Sequence, residues 1–397
     1  MTWTTDRYPL PETIQYCTTC VMPNTRPGLH IHDDGECAAC KAYKARADTP
    51  WGARWAELQT LCDQNRGDGT RYDCIVTVSS GKDSWYQVHL MRELRMTPLL
   101  LSVGNYEWTP TGWANLQRMR ERFGCDLEML MLPTGVARIM ARKAFFKLLA
   151  PMWYWDRAVY SWPLQKAIQH GIKLIWYGED INYQYGGAQA VEKASARDQM
   201  ANDVVKPVPL DQWLGGGVER RHFIPHAMPT VEQIQELDPR YLSYYVPWSG
   251  YENRMLARSQ GWHDLYDDGV ERLGTAEDYD QIDAAGYMVH PWLKFPKFGH
   301  HHQSDVLSMW IREGRISRDA AVRLVQDTEH KLDPNDLRDF LGFTGITRAE
   351  FWCTVTDWAN RLMLDRYGGM LRLHCYADEA LERGGEMEDP GDDESPF

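Results

Sequence analysis

The chain has 397 residues, of which 43% are hydrophobic, 12% aromatic and 25% charged, a balance that excludes disorder as the default and suits two or three folded domains. A formal net charge of -13 argues against a polyanionic partner, so a small substrate is expected in place of nucleic acid. There is no apolar run of about 18 residues, and the start MTWTTDRYPLPET lacks a signal-peptide pattern, so a cytoplasmic protein without membrane insertion is expected.

The first unit carries Cys17-x2-Cys20 and Cys37-x2-Cys40, with Pro23, Pro27, Gly28 and Gly35 letting the chain turn back between them. Each pair can hold one side of a tetrahedral ion, and four thiolates leave no open position, so the spacing predicts a structural zinc site. A redox or iron-sulfur role is the other chemistry open to four cysteines. The remaining five cysteines are scattered singly and read as buried thiols in a reducing compartment. A helical linker with Trp51, Trp55, Leu58 and Leu61 follows.

Tyr72 to Val78 reads as a strand, then a small-residue loop, Ser79-Ser80-Gly81-Lys82-Asp83-Ser84, then a helix carrying Val88, Met91 and Leu94. Pro98–Val103, Leu127–Leu132 and Ile172–Tyr177 read as further strands, with a helix at Trp113–Phe123 and a helical stretch over Gly135–His170 interrupted at Pro151 and Pro163. A fifth strand is expected over Tyr241–Val246 and a helix over Tyr251–Gln260. The alternation predicts an α/β fold: a five-stranded parallel, doubly wound sheet covered on both faces, followed by a mainly helical C-terminal region. Ser79 to Ser84 would cradle phosphate oxygens with backbone N–H groups, the helix N-terminus and the Lys82 charge. Gly178, Glu179 and Asp180 close the fourth strand and should face that loop, because ligands gather at the carboxyl ends of strands in such a sheet. With Asp83, these two acids are expected to hold Mg²⁺ beside a departing pyrophosphate. Downstream, Lys294, Lys297 and His300-His301-His302 precede Asp305 and Arg312, and the lysines are expected to neutralise a diphosphate.

The loop resembles the pyrophosphatase loop of ATP-dependent adenylylating enzymes, Ser-Gly-Gly-x-Asp-Ser, with Ser80 in place of the first Gly. That exchange is harmless at negative φ and crowding at positive φ. Together with Cys-x-x-Cys-Val-Met-Pro-Asn-Thr-Arg-Pro-Gly at 17 to 28, Tyr-Gly-Glu at 177 to 179 before Tyr-Gly-Gly at 185 to 187, Tyr-Val-Pro-Trp at 245 to 248, Lys-Phe-Gly at 297 to 299 and Ile-Arg-x-Gly at 311 to 314, the chain resembles the N-acetyl sugar amidotransferases of bacterial surface-polysaccharide biosynthesis.

The resemblance implies an adenine nucleotide alpha-hydrolase-like fold. It also implies adenylylation of the acetamido oxygen of a nucleotide-linked N-acetyl sugar, with ammonia delivered by separate glutaminase and ammonia-channel subunits. Lys82, Asp83 and Lys297 would be catalytic, Ser79 to Ser84 and Gly178 would bind ATP, and Glu179, Tyr185, Lys294, His300 and Arg312 would touch the substrate. The domains expected are a zinc module at 1–48, a helical linker at 49–70, an ATP-binding domain at 71–262 with a helical insertion at about 188–236, a helical substrate region at 263–383 and a disordered acidic tail at 384–397. The alternatives are a sulfur transferase on the same scaffold, for which Cys74 and Cys125 are the nearby thiols, and a non-catalytic zinc and ATP scaffold.

Overall fold

The computed structural model describes residues 13–104, 107–186, 192–201, 204–206 and 208–359, with Pro11 and three short C-terminal strands. Strand β1 (Ile14–Gln15) leads into α1 (Ala38–Ala45) and α2 (Trp51–Asn65). The central sheet is built from β2 (Cys74–Thr77), β3 (Pro98–Val103), β4 (Asp126–Leu130), β5 (Leu174–Tyr177) and β6 (Asp238–Tyr241), all parallel, in the order β4-β3-β2-β5-β6. Helices α3 (Lys82–Glu93), α4 (Pro110–Phe123), α5 (Thr134–Leu148) and α6 (Trp153–His170) connect them. The expected five-stranded α/β sheet is thus present.

The strands are near-continuous apolar runs because both faces are covered. Side chains alternate between the faces. Val76, Leu100, Leu174 and Trp176 join Trp85, Val88, Met91, Leu116 and Met119 in one core. Ile75, Leu99, Leu101 and Ile175 join Trp162, Leu164 and Ala167 of α6 in the other. Capping sets the helix ends: Thr109 Oγ1 accepts from Gly112 N–H ahead of Pro110, and Gly124 closes α4 at φ 59°.

Three expectations shift. The last strand of the sheet is Asp238–Tyr241, not Tyr241–Val246, because its ladder runs out where β5 ends at Tyr177, which pairs with Tyr241. The chain then turns helically over Leu242–Tyr245, with Ser243 N–H donating to Gly178 O. Pro239 is tolerated because β6 is an edge strand. The second break expected in the helical stretch is absent, since α6 runs through Pro163 with Trp162, Pro163 and Leu164 buried. Among the described residues, the insertion expected to be helical at about 188–236 forms short 3₁₀ turns and a helix at Val231–Gln235. It is tied to α6 by Arg157, which donates to the carbonyls of Val204, Lys206 and His226.

The C-terminal region is mainly helical from Val289 to Trp358, and its helices pack into a core of their own around Trp292, Phe295, Leu307, Phe340 and Phe351. Beyond it, β7 (Leu364–Tyr367) and β8 (Met370–Leu373) form a hairpin that the helical expectation for 263–383 did not contain. Of the acidic tail expected to be disordered, β9 (Glu386–Met387) pairs with β1, and the remainder lies outside the described residues.

Candidate functional site

The sheet order reverses between β2 and β5, and their carboxyl ends bring two segments together, as open α/β sheets do at a switch point. From β2 comes the loop Ser79 to Ser84. Ser79 N–H donates to Ser84 Oγ at 2.9 Å, Gly81 N–H to Ser79 Oγ at 3.0 Å, and Trp262 Nε1 to Ser80 O at 2.9 Å, so the loop is tied down from both sides. Ser80 is not among the residues of positive φ, so its side chain costs no backbone strain. Its Oγ is buried and without a hydrogen-bond partner. From β5 come Gly178, where a Cβ would meet the Trp248 ring at 3.0 Å, and Glu179.

Charge concentrates where these segments meet. Lys82 is 4% exposed, bonds Asp83 at 2.8 Å and Asp280, and lies 5.2 Å above the Tyr279 ring. Burial alone would drive its proton off, but Asp280 and Asp83 hold its pKa well above the ordinary lysine value. Asp83 also accepts from Asn253 Nδ2 at 2.7 Å. Burial, with the Asp83 charge next, pushes Glu179 up to about 7. Asp180 has a different setting: it is buried, its N–H donates to Ser243 Oγ, and its charge acts on Tyr241. Of the three acids expected to share one cation, Asp83 and Glu179 feel each other's charge, Asp280 adds its own to both, and Asp180 is tied to Ser243 beside the edge strand.

Asp280 was not legible in the sequence as a site residue. It is set by Glu277, whose Oε2 accepts from the N–H groups of Tyr279 and Asp280 and whose Oε1 lies 2.9 Å from His302 Nε2. Burial would raise the Glu277 pKa, but the His302 and Arg272 charges hold it at about 2. Glu277, Asp280 and His302 lie close enough to share an ion. Lys82 on Asp280 and Arg272 at 3.5 Å from Glu277 already supply the positive charge.

A second group adjoins the first through Tyr185. Burial, then Glu179, Asp280 and Asp305, push its pKa well up. Arg26, from the loop between the cysteine pairs, sits 5.4 Å over the Tyr185 ring and pairs with Asp305, and Lys294 approaches Asp305 at 3.7 Å. Burial opposes ionisation of Asp305, yet Arg26 and Lys294 hold it at about 2. Arg26 was missed because nothing in Pro-Asn-Thr-Arg-Pro-Gly says where that turn docks. It docks on the Lys297-Phe298-Gly299 turn, where Thr25 Oγ1 donates to Phe298 O.

Other expected residues lie differently. Lys297 is 8% exposed and donates to Leu149 O at 3.1 Å at the end of α5. Burial and Lys294 lower it to about 8. Through the bond to Leu149 O it clasps two elements together. His300 is 1% exposed, and burial drives its pKa to about 3, so it is a neutral ring with both nitrogens unpartnered. The three consecutive histidines diverge, as successive side chains must: His301 meets Glu329 and His302 meets Glu277. Arg312 donates to Gln184 O at 3.0 Å and faces the cysteines, whose charge raises its pKa against burial. A cavity of about 220 Å³ opens beside the loop between Thr77, Ser79, Leu101 and Asp156, and burial pushes Asp156 up to about 7.

Cys17, Cys20, Cys37 and Cys40 are all buried, with their sulfurs within 4.8 Å of one another. The Cys17–Cys40 and Cys20–Cys37 separations of 4.0 and 3.7 Å match the edge of about 3.8 Å that a tetrahedron of zinc–sulfur bonds near 2.3 Å requires. Backbone N–H groups of Thr19, Cys20 and Cys37 point at Cys17 Sγ, and Arg318 donates to the carbonyls of Cys17 and Cys20. The cluster could bind a metal such as zinc.

Among the described residues, no helix is long and apolar enough to cross a membrane. No curated protein matches the chain. Residues 273–366, less than half of the chain, match the family model of the C-terminal domain of WbpG-like LPS biosynthesis proteins. That segment supplies Glu277, Asp280, Lys294, His302, Asp305 and Arg312, so the region similar to this domain is the one that completes the site begun by the sheet.

Proposed function

We propose that the protein is an ATP-dependent amidotransferase of surface-polysaccharide biosynthesis, converting the acetamido group of a nucleotide-linked N-acetyl sugar into an acetamidino group. The observation that carries this reading is the convergence of the Ser79 to Ser84 loop, Lys82, Asp83, Glu179 and Asp280 at the switch point. The similarity of residues 273–366 to a WbpG-like LPS biosynthesis domain supports the pathway class.

An amide carbonyl is a weak electrophile, so its oxygen must first become a leaving group. The acetamido oxygen attacks the α-phosphorus of ATP, the bond to pyrophosphate breaks, and the amide nitrogen loses its proton, leaving an O-adenylyl imidate. Ammonia then adds to the imidate carbon, AMP leaves with the former carbonyl oxygen, and the product retains a proton as an amidinium. Lys82 and the first-turn N–H groups of α3 would face the charge that grows on pyrophosphate. A divalent cation such as Mg²⁺ would neutralise phosphate oxygens, and Asp83 and Glu179, near enough for the Asp83 charge to raise the Glu179 pKa, are the acids that would hold it. The four cysteines fit structural zinc.

The buried thiols of the sheet core, Cys62, Cys74 and Cys125, are not poised for sulfur transfer. Burial pushes Cys74 well above the ordinary thiol value, Cys62 to about 12 and Cys125 to about 11. The ammonia would come from a separate glutaminase partner.

The test is to supply ATP, Mg²⁺, ammonium and UDP-linked N-acetyl sugars, following pyrophosphate and product mass. Exchange of oxygen for NH is the expected result, and exchange for sulfur with a sulfide donor, or no pyrophosphate across good substrates, would overturn the reading. Asp83→Ala is expected to lower turnover by roughly 10²–10³-fold with the fold retained but the melting temperature lowered, since Lys82 and Asn253 both lose a partner.

A further inference from the structure

A cavity of about 860 Å³ lies on the face of the sheet covered by α3, between the start of α2 and the Pro247-Trp248-Ser249 turn. None of the chemistry above uses it. Its walls combine two kinds of group. Trp51, Tyr86 and Trp248 offer flat apolar surface, with the Tyr86 and Trp248 rings edge to face at 5.4 Å. Lys44, Arg46 and Arg312 bring positive charge, with the Arg46 guanidinium 5.3 Å over the Trp51 ring; Lys44 also pairs with Glu36 at 2.7 Å and Arg46 with Glu192 at 3.1 Å. Two acids also line it, Glu252 and Glu313, and Arg315 takes both at 2.6 Å.

The cavity is joined to the reaction centre. Asn253 on its wall donates to Asp83. At its inner end a pocket of about 30 Å³ is bounded by Gln184, Trp248, Met309 and Arg312. Gly250 marks the far side, because a Cβ there would lie 3.3 Å from Lys82 Cε and 3.9 Å from Met309 Cε. Gln184 precedes Tyr185, the residue between the two charged groups.

We propose that this cavity binds the nucleoside diphosphate end of the sugar substrate. The base stacks against Trp51 and Trp248, and the diphosphate lies along Arg46 and Arg312. The sugar then points through the inner pocket toward Lys82, with Met309, a flexible thioether, moving aside. The assignment rests on the reading of the protein as a nucleotide-sugar enzyme. It gives Trp248 of the Tyr-Val-Pro-Trp segment a role in recognition and leaves ATP to the cavity beside Ser79.

The experiment is a titration of the full chain with UDP and GDP, read by tryptophan fluorescence and calorimetry, repeated with Trp51→Ala and Arg46→Ala. A nucleoside diphosphate should bind without ATP, and each variant should weaken it by about tenfold or more while ATP affinity stays unchanged, with thermal melting read alongside because Arg46 also pairs with Glu192. The proposal is overturned if neither diphosphate binds, if the variants bind it as the parent does, or if ATP displaces it competitively, which would make the cavity the ATP site. The two readings fail separately. Amidination with unaltered KM for the nucleotide sugar in both variants sinks the cavity assignment alone. Diphosphate binding lost in the variants without turnover of any N-acetyl sugar upholds the cavity and sinks the amidination.

Discussion

At the scale of single residues, Glu179 shows how surroundings set the state of a carboxyl in the site. It is held near neutrality by burial and by Asp83, with a pKa of about 7 in the fold against about 4.5 when exposed. The folded protein therefore keeps a proton that the unfolded chain releases between those two values, so this residue's contribution to stability falls as pH rises from about 4.5 to 7 and stays low above 7. Chemical denaturation across that window should show a loss on the order of 1–3 kcal/mol, part of it from Asp156, whose pKa is raised in the same direction. Glu179→Gln should flatten the slope, and an unchanged slope would show that the carboxyl is already ionised. Ser80 makes the complementary point. A serine where related loops have glycine looked capable of crowding the phosphates, and backbone φ alone decided that it strains nothing.

At the scale of elements, the turn at Thr25-Arg26 matters most, because it carries a charge from the four-cysteine module onto the helix bearing Asp305. Arg26 and Asp305 have side-chain exposures of 14% and 7%, so truncating Arg26 leaves a buried carboxylate with Lys294 as its nearest compensation. Arg26→Ala is expected to cost roughly 2–4 kcal/mol in denaturant melts, while Arg26→Lys should retain most of that stability. If the arginine also meets the substrate, Arg26→Lys raises KM for the sugar about tenfold at unchanged KM for ATP, since an ammonium cannot reproduce a bidentate guanidinium contact. Equal changes in both constants would assign Arg26 to structure alone. The edge strand teaches a related lesson. The apolar stretch Tyr241–Val246 satisfies a strand pattern, but a ladder extends only as far as its partner, and β5 stops at Tyr177.

At the scale of the whole molecule, the cysteine cluster links the N-terminus to the C-terminal helices through Arg312, Arg318 and the Thr25–Phe298 contact. One zinc per chain is expected by elemental analysis. Stripping it, or Cys20→Ser, should lower the melting temperature and loosen the Arg26 turn as well as the module, because several kcal/mol of binding free energy acts on both. A metal-free protein with unchanged melting would show the cluster to be four packed thiols. Much of this architecture could be read from local pattern. Apolar runs broken by small-residue loops specify a covered parallel sheet, and paired cysteines specify a four-sulfur cluster, since each depends on residues near in sequence. The tertiary structure alone decided the company these groups keep. It brought Asp280 and not Asp180 to Lys82, placed Arg26 at Asp305, sent Lys297 to Leu149 and buried His300 as a neutral ring, because long-range packing sets which charges meet and which lose their water.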